Sequence, residues 1–380
     1  MRIGFDYRMG GPMNAGIGRY SFELLNAMLE QRSGDTFVIF YNELNVNQLE
    51  LENFCSQGAE LVPTRLRHYS LEEQLYLPRI LNQHTLDLVH FPNFNVPILY
   101  KGDYVVTIHD MVHHKISGHK KSRIWKFYAY KYIIEQAAKR AKKIFTVTES
   151  AKGEIVNYLG TDPDKIVVTH LAPPAHEFVR GDVTGVKRKF LLSRPYFIFV
   201  GTMERKKNIP MLAKGFDVFL TKYKYDMDLV LVGKVDPHYP EVKQQILDIP
   251  HRNRLVFTDF VTDEDQAALY QGAYAYVSAS LHEGFGLPGV EAMRYGLPLV
   301  TSNTEVFNEV YDNASIYFDP IDPDDIAEQM HLLVNDQQFY AQMQTKSFNR
   351  SQQFSWSVAG EKILRAYHDL RKHSYEPELD

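Results

Sequence analysis

The sequence contains very little cysteine, no long apolar run and no recognisable secretion signal. Among its 380 residues there is a single cysteine, Cys55, which excludes an internal disulfide and a cysteine-rich metal site. The apolar runs are all far shorter than the ~20 residues that a membrane-spanning helix needs. The N-terminal residues enter a strand-like run directly and carry no apolar core of a secretion signal, which predicts a cytoplasmic protein.

A strong excess of charge of one sign is also absent overall, yet the two halves differ. The formal net charge is −5. Residues 1–190 contain 24 Lys and Arg against 20 Asp and Glu, whereas residues 191–380 contain 18 against 27. A hydrophobic fraction of 44% is ordinary for a globular protein, and the length suggests two or three domains. The charge difference predicts two domains that meet different partners.

Short apolar runs alternate with amphipathic stretches along almost the whole chain. This alternation is typical of parallel strands joined by helical crossovers, so we expect an α/β protein with doubly wound sheets. The pattern breaks at 172–190, which contains a Pro-Pro pair and is interpreted as a linker region. We therefore predict Rossmann-like domains over 1–178 and 190–355, followed by an amphipathic helix within 356–380. The predicted strands are 3–7, 37–41, 59–62, 86–91, 105–109, 144–148, 166–171, 196–201, 229–233, 255–259, 275–278, 299–301 and 316–318.

A glycine-rich segment follows the first predicted strand and opens the first helix. Gly16-Ile17-Gly18 would let the backbone approach a phosphate or a sugar, at a helix N-terminus that attracts anions. A dinucleotide fingerprint needs a third glycine three positions later, where this chain has Ser21. A nicotinamide enzyme is therefore disfavoured. Two interpretations stay open: a loop that binds phosphate or sugar, and a tight strand-to-helix turn.

The most specific motif begins at Glu283 and ends at Glu291. Gly284 and Gly286 free the backbone for close approach to a ligand, and the proline that follows them predicts a helix start whose amides face an anion. Carboxylates on both sides of an anion-binding helix start suit a nucleotide sugar, in which a ribose and a hexose flank the diphosphate. The alternative is a buried cap followed by an ordinary helix glutamate.

Three consecutive cations, Arg205, Lys206 and Lys207, follow Gly201 at the end of the first strand of the second domain. Ligands of α/β proteins bind at the carboxyl ends of the strands, and cations there would neutralise a diphosphate leaving group. A short basic run alone is more often a solvated turn. Its position beside a second predicted anion-binding segment, in an otherwise acidic half, favours the diphosphate.

His109 ends a predicted strand of the first domain, at the ligand-binding edge of the sheet. A functional and a structural role both stay open for it. His113, His114 and His119 follow, but their spacing fits no familiar ligand pattern, so no metal site is predicted. Three Asp-x-Asp triplets are explained by helix N-capping and pairing with helix dipoles, and they are assigned no metal.

Residues 113–143 carry ten Lys and Arg against one acid, Glu135, with aromatic side chains interleaved. This composition suits a surface that contacts an anionic lipid at the inner face of a membrane, or an anionic acceptor. A solvated helix with an aromatic stripe toward the core would have the same composition. Nucleic acid is disfavoured as a partner, because the overall charge is negative and no recognition motif is present.

Together these segments resemble the retaining glycosyltransferases of family four, which have the GT-B fold. The resemblance covers essentially the whole chain and rests on the Glu283…Glu291 motif, the Lys206-Lys207-Asn208 run, the strand-end His109 and the loop at 16–18. Among members of the family the chain looks most like bacterial polysaccharide mannosyltransferases. The resemblance implies two Rossmann-like domains facing a central cleft. The second would bind the donor, and the final helix would return to the first, acceptor-side domain.

The resemblance also implies roles for individual residues of the second domain. Glu291 would hold the donor ribose. Glu283 and the segment that begins at Gly284 would hold the transferred sugar, through the backbone of Phe285, Gly286 and Leu287.

The predicted phosphate contacts depart from the family in one respect. Lys206 and Lys207 would clamp the diphosphate, but the family usually has Arg-Lys at this place, and here Arg205 lies one position earlier. Whether Arg205 or Lys206 acts beside Lys207 stays open. His109 would contact the sugar near the reacting carbon, and the Gly16 loop would approach the phosphates and the acceptor. The expected catalytic residues are thus His109, Lys207 and Glu283.

The reaction that the resemblance implies is hexosyl transfer with retention, in polysaccharide or glycoconjugate synthesis. A covalent intermediate would need a carboxylate beside the anomeric carbon, and no candidate is evident, so a front-face displacement without a metal or cofactor is expected. The expected donor is GDP-mannose, with UDP-hexoses as the next choice, and the acceptor is a glycan or a lipid-linked sugar. A nucleotide-sugar epimerase and a non-catalytic sugar-nucleotide-binding protein are the alternatives.

Overall fold

The structure, a computed structural model, describes residues 1–11, 15–111, 121–174, 181–237, 239 and 241–373. The chain divides into two units. Unit 1 comprises Met1–Leu171 and the segment from Ser355 onward, and unit 2 comprises Ala172–Phe354. The last helix of the chain therefore belongs to unit 1.

Unit 1 is built on a parallel sheet. Its strands are β1 (Arg2–Tyr7), β2 (Thr36–Asn42), β3 (Glu60–Thr64), β4 (Leu88–Phe91), β5 (Tyr104–Thr107), β6 (Ile144–Thr146) and β7 (Ile166–Val168). They pair in the order β3-β2-β1-β4-β5-β6-β7, and every residue of β4, β5 and β6 is buried. Burial on both faces explains why these strands are uninterrupted apolar runs in the sequence. The order reverses between β1 and β4, so their carboxyl ends mark the ligand-binding edge of this sheet.

Helices connect the strands of unit 1. They are α1 (Ala15–Glu30), α2 (Gln48–Ser56), α3 (Leu71–Asn82), α4 (Lys121–Arg140) and α5 (Glu149–Leu159). Ser70 caps α3 by accepting a hydrogen bond from the backbone N–H of Glu73 at 3.1 Å. The start of α3 is thus fixed by a local signal that is visible in the sequence.

Unit 2 repeats this architecture on a six-stranded sheet. Its strands are β8 (Tyr196–Val200), β9 (Asp228–Val232), β10 (Leu255–Asp259), β11 (Ala275–Ser278), β12 (Leu299–Ser302) and β13 (Ser315–Phe318), paired in the order β10-β9-β8-β11-β12-β13. Its helices are α6 (Val183–Lys189), α7 (Ile209–Tyr223), α8 (Glu241–Gln244), α9 (Asp263–Gly272), α10 (Leu287–Arg294), α11 (Glu305–Tyr311), α12 (Pro323–Asn335) and α13 (Gln337–Ser351). The order reverses between β8 and β11, which marks the ligand-binding edge of this second sheet.

The final helix, α14 (Trp356–His373), packs against α1 in unit 1. Its Tyr367 hydroxyl lies 2.5 Å from Nδ1 of His90 on β4, and His90 Nε2 lies 2.9 Å from the hydroxyl of Thr107 on β5. The hydroxyl of Tyr20 on α1 continues this chain, at 3.1 Å from that of Thr107. All four side chains are buried. The last helix is therefore attached to the core of unit 1 by these hydrogen bonds as well as by its packing against α1.

Acid should destabilise unit 1 partly through His90. Burial lowers the pKa of His90 to about 3, with a smaller contribution from the nearby charge of His109. Between about pH 6.5 and pH 3 the unfolded chain binds a proton that the folded chain does not, so stability falls as the pH falls, by about 1.4 kcal/mol per unit for this group. In urea titrations at pH 7, 5 and 4, we expect His90→Gln to lose stability less steeply than the wild type. Equal slopes in the two proteins would contradict this assignment.

The predicted α/β class and both doubly wound sheets are confirmed. All thirteen predicted strands are present, within a few residues at their ends. The sequence interpretation missed four helices, α2, α6, α11 and α13. The helices α2, α6 and α11 are short, with seven to nine residues, so their apolar period is difficult to detect. The predicted linker at 172–190 contains α6, which begins after Asp182 caps it.

Candidate active site

The carboxyl ends of β8 and β9 form adjoining glycine turns. Gly201 follows β8 with a φ of 149°, and Gly233 follows β9 with a φ of 125°. A Cβ at Gly233 would lie 2.3 Å from the carbonyl oxygen of Gly201, so only glycine fits at that position. Met203 then forms a parallel bridge with Val235. These contacts fix the start of the cationic segment against the end of β9.

The cationic segment is one turn of 3-10 helix, Arg205–Lys207. Lys207 Nζ donates a hydrogen bond to Glu283 Oε1 at 2.5 Å, and the two side chains are only 13% and 14% exposed. The carbonyl oxygen of Lys206 accepts a hydrogen bond from the backbone N–H of Leu281 at 2.8 Å. Backbone and side chain thus both join the cationic turn to the loop that precedes α10.

The other two cations have partners of their own. Lys206 Nζ lies 3.1 Å from a carboxylate oxygen of Glu204. Arg205 is 77% exposed, and its guanidinium lies over the ring of Tyr239 and 3.0 Å from Glu241. The exposed Arg205–Glu241 pair contributes little to stability. The side chain of Arg205 is thus directed toward Glu241 and Tyr239, whereas Lys207 contacts Glu283.

The loop before α10 ends at a position where only glycine fits. Gly286 has a φ of 87°, and a Cβ there would lie 2.3 Å from the hydroxyl of Tyr311. That hydroxyl donates a hydrogen bond to the carbonyl oxygen of Gly286 at 2.7 Å. A Cβ at Gly289 would also lie 2.3 Å from the hydroxyl of the fully buried Tyr311. Both glycines therefore have a packing role, which the sequence interpretation did not include.

A serine on the neighbouring strand braces the same loop. The Ser302 hydroxyl, at the end of β12, lies 2.6 Å from the carbonyl oxygen of Ser280 and 3.2 Å from that of Ser278. The hydroxyls of Ser278 and Ser280 lie 3.0 Å apart, and all three side chains are buried. Hydrogen bonds from the end of β12 thus hold the start of the loop that leads from β11 to Glu283.

Glu291 lies one turn into α10 and is buried. Its Oε2 accepts hydrogen bonds from the Tyr270 hydroxyl at 3.1 Å and from the Gln266 side-chain amide at 3.3 Å. Burial and the charge of Glu291 raise the pKa of Tyr270 well above its ordinary value, so its hydroxyl remains a donor at neutral pH. Glu291 and both of its donors line one pocket, together with Tyr295. The carboxylate is thus oriented by α9 at the wall of a pocket.

The predicted glycine loop of unit 1 contains two glycines, Gly16 and Gly18, that differ in burial and in the space around them. Gly18 is buried, and a Cβ there would lie 2.8 Å from the carbonyl oxygen of Gly11. Gly16, in the exposed first turn of α1, has no described atom within 4 Å of the position of a Cβ. Packing within the described part of the chain therefore requires glycine at Gly18 but not at Gly16.

This difference provides a matched pair of variants. Gly18→Ala should lower the free energy of unfolding by about 1–3 kcal/mol, because the added methyl group would meet a backbone carbonyl. Gly16→Ala should leave stability unchanged or slightly higher, since alanine favours a helix. If the first turn of α1 approaches a ligand, Gly16→Ala should lower sugar transfer at least tenfold while the protein stays folded. Thermal unfolding and turnover of both variants test this, and full activity in Gly16→Ala would contradict it.

His109 lies two residues beyond the end of β5 and is partly buried. Its Nε2 donates to the carbonyl oxygen of Pro92 at 3.0 Å, which leaves Nδ1 as the acceptor of the neutral ring. Its ring packs edge-on against Tyr20, with 4.5 Å between the centroids. Burial lowers the pKa of His109, opposed by this hydrogen bond and by the charge of Asp110. The ring is therefore neutral and held in one orientation near pH 7.

Comparison with protein families gives two consecutive matches. Residues 15–172 match the family model of Glycosyltransferase Family 4, and residues 186–350 match that of Glycosyl transferases group 1. The two models together span both units, and the sequences similar to the chain include mannosyltransferases. The chain is a family 4 glycosyltransferase of GT-B fold. The predicted family is thereby confirmed.

Similar proteins cover nearly the full length of this glycosyltransferase. The O-antigen chain mannosyltransferase B of Escherichia coli is 29% identical over 371 residues, 93% of this chain and 95% of its own. The O-antigen chain mannosyltransferase RfbU of Salmonella typhimurium is 26% identical over 319 residues, 82% and 85% of the two chains. The solved structure of Anabaena Alr3699/HepE in complex with UDP and glucose has a TM-score of 0.74 at 15% identity, over 97% and 99%. This last likeness concerns the fold alone.

The predicted site residues of the glycosyltransferase fall into the two units. The donor-binding residues, from Arg205 to Glu291, belong to unit 2, and the structure brings Lys207 and Glu283 into direct contact. His109 and the loop at 16–18 belong to unit 1. The roles of all these residues stay predictions.

No group of three or more His, Cys, Asp or Glu suited to a metal occurs among the residues that the structure describes. Two of the three Asp-x-Asp triplets begin with a helix cap, Asp162 and Asp322, as expected. In the third, Thr262 is the cap and Asp263 lies in the first turn of α9. His113, His114 and His119 lie outside the described residues.

The basic segment at 113–143 is described only in part, since 113–120 and the side chains of 121–126 lie outside the described residues. On α4, Tyr128 and Tyr132 are exposed. Arg140 donates hydrogen bonds to the backbone carbonyls of Ile98 and Tyr100. These bonds join α4 to the segment between β4 and β5. Within the described ranges, no helix is long and apolar enough to cross a membrane. Contact with an anionic membrane stays a prediction.

Sequence reasoning missed the residues that orient the site. Four side chains hydrogen-bond to predicted site residues or to their loop: Gln266, Tyr270, Ser302 and Tyr311. Each comes from a helix or strand that is distant in sequence, and a single tyrosine or serine carries no motif. Only the order of the strands brings them to the same edge of the sheet.

Proposed function

We propose that this glycosyltransferase transfers mannose from GDP-mannose to a glycan or lipid-linked acceptor during synthesis of a bacterial polysaccharide. The observation that carries the proposal is the contact between Lys207 and Glu283 at the carboxyl edge of the unit 2 sheet, eight residues before the buried Glu291. The similarity to two O-antigen mannosyltransferases supports mannose as the sugar.

The residues of unit 2 suit the three parts of such a donor. Lys207 has three N–H donors, so it can keep its bond to Glu283 while it also binds a phosphate oxygen. The backbone amides at the start of α10, from Phe285 to Leu287, favour negative charge because they lie at the positive end of the helix dipole. Glu291 offers an oriented carboxylate for ribose hydroxyls, and Glu283 offers one for sugar hydroxyls.

Transfer requires that the departing diphosphate be stabilised as its charge develops. Lys207 and Lys206 lie on a turn that the fold holds in place, so the stabilisation costs little reorganisation. We propose a front-face displacement with retention, in which the acceptor hydroxyl attacks the anomeric carbon, the bond to the phosphate oxygen breaks, and that phosphate takes the acceptor proton. The cations would serve in place of a metal ion.

Unit 1 would contribute His109 and the Gly16 loop. The neutral His109 ring is held through Nε2 by Pro92, so its orientation is set before a ligand arrives. We propose that this ring contacts the transferred sugar near the reacting carbon, and that the first turn of α1 approaches the phosphates and the acceptor. Because burial lowers the pKa of His109, a positive charge on it is disfavoured at pH 7.

A nucleotide-sugar screen tests the function. Purified protein is incubated with GDP-mannose, UDP-glucose, UDP-galactose or UDP-N-acetylglucosamine, each with and without octyl α-D-mannopyranoside and with EDTA present. We expect GDP-mannose to be consumed faster with the acceptor than without it. Isomerisation of a donor without acceptor would indicate the epimerase, and binding without turnover of any donor would indicate a non-catalytic protein.

A further inference from the structure

A cluster of charged and polar side chains is buried beneath the ligand-binding edge of unit 1. Arg8, directly after β1, donates hydrogen bonds to both carboxylate oxygens of Asp6 at 2.7 Å and to Glu73 Oε1 at 2.6 Å. The side-chain amide of Asn95 donates to Glu73 at 2.8 Å. All four residues are at most 6% exposed. Burying three charges is costly, and a gain in positioning is one reason for a fold to retain them.

The cluster has hydrogen-bonding capacity that the described protein does not use. Arg8 Nη1 and Asn95 Oδ1 are buried and have no hydrogen-bond partner among the described residues. Both belong to side chains that contact Glu73. Native proteins satisfy most buried polar atoms, so two such atoms in one cluster leave room for a further polar partner at this place.

The loop after β4 connects this cluster to the predicted catalytic histidine. The carbonyl oxygen of Pro92 accepts the hydrogen bond from His109, and Asn95, three residues later, is bound to Glu73. Between them, the buried Asn93 donates from its side-chain amide to the hydroxyl of Tyr69 at 3.0 Å. One short loop is thus hydrogen-bonded to both His109 and Tyr69.

Tyr69 combines a strained backbone with an exposed ring. Its φ is 57°, which a bulky residue rarely adopts, and its backbone N–H is held by Glu73 Oε2 at 2.8 Å. The side chain is 57% exposed, and its ring lies 6.0 Å from that of Phe94. The fold therefore accepts backbone strain to present an aromatic side chain to solvent, next to the loop that also holds His109.

We propose that Tyr69, Phe94 and Asn93 form a subsite on which a pyranose ring of the acceptor stacks, held in place by the buried Asp6–Arg8–Glu73–Asn95 cluster. The proposal rests on the proposed function, because His109 is taken to mark the reacting carbon. An aromatic face suits the apolar C–H face of a sugar. The Tyr69 hydroxyl already accepts from Asn93, so it retains its own hydrogen to donate to a sugar hydroxyl.

The test is sugar binding measured by saturation-transfer NMR, with and without GDP. The probes are methyl α-D-mannopyranoside, methyl α-D-glucopyranoside, methyl α-D-galactopyranoside and methyl α-L-rhamnopyranoside. We expect at least one of them to bind the wild type, and Tyr69→Ala to weaken that binding at least tenfold. Tyr69→Phe should retain most of it, because the ring remains. The control is Tyr158→Ala, a tyrosine of similar exposure at the C-terminal end of α5, which should bind like the wild type.

The outcomes separate this subsite from the proposed function. Undiminished binding in Tyr69→Ala would overturn the subsite, as would equal losses in Tyr69→Ala and Tyr158→Ala, or a wild type that binds none of the four glycosides. Thermal unfolding of each variant shows that it is folded. Consumption of GDP-mannose by the wild type is measured in parallel, and its absence would contradict the proposed function while the binding result still decides the subsite.

Discussion

Replacing Lys207 with alanine should lower the turnover number for sugar transfer by about 10²–10³-fold. The side chain is the least exposed cation of the turn and is in contact with Glu283, so its loss would remove charge stabilisation from the departing diphosphate. Glu283 would also lose its partner, and we expect the free energy of unfolding to fall by about 1 kcal/mol or somewhat more, since both groups are only partly desolvated. Initial rates at saturating donor, together with thermal unfolding, measure the two effects separately.

Arg205→Ala is the matched control for this prediction. It removes the same charge two residues earlier, from a side chain that is 77% exposed and held by Glu241. We expect its turnover to stay within about threefold of the wild type. Equal losses in Arg205→Ala and Lys207→Ala would mean that the net charge of the turn, rather than the contact with Glu283, carries the effect, and would contradict the assignment of Lys207. Lys206→Ala should fall between the two.

Glu291→Gln should weaken GDP binding about 10–100-fold. The substitution keeps the size of the side chain and removes the charge, and hydrogen bonds to a charged group are worth about 1.5–3 kcal/mol each. Because Glu291 is already oriented by Tyr270 and Gln266, it can bind ribose hydroxyls without further ordering. Isothermal titration with GDP measures the change directly and does not depend on the acceptor.

Tyr270→Phe provides the comparison for Glu291. It removes one orienting hydrogen bond and leaves the carboxylate in place, so GDP binding should weaken by less than tenfold. If Glu291→Gln binds GDP as tightly as the wild type, the buried glutamate is a structural residue of α10 and the ribose contact is wrong. A larger loss in Tyr270→Phe than in Glu291→Gln would also contradict the assigned order of effects.

The sequence was informative about the fold because most strands are buried on both faces. Strands such as β4 and β8 consist entirely of buried residues, so they appear as short apolar runs between helices and their order in the chain implies parallel pairing. The packing roles of Gly286 and Gly289 could not be predicted. They depend on Tyr311, which lies 25 residues after Gly286 and meets both glycines only in the folded unit.

The candidate site could be predicted where charge or glycine is concentrated in a short segment. Lys207, Glu283 and Glu291 stand out for that reason. The different contacts of Arg205 and Lys207 could not be predicted. Arg205 contacts Glu241 and Tyr239, which lie in a part of the chain that carries no motif. In unit 1, Glu73 is the residue whose backbone N–H is capped by Ser70, a local contact that the sequence itself indicates. Its contact with Arg8, 65 residues away, follows only from the topology of the sheet.

Transfer of a labelled mannose tests the central claim most directly. The wild-type protein is incubated with GDP-mannose carrying ¹³C at the anomeric carbon, with octyl α-D-mannopyranoside as acceptor, and the products are followed by NMR. We expect release of GDP and a labelled α-linked mannoside, since the donor is α-linked and its configuration should be retained. A β-linked product would contradict retention, and GDP-mannose left intact in the presence of the acceptor would contradict the proposed mannosyl transfer.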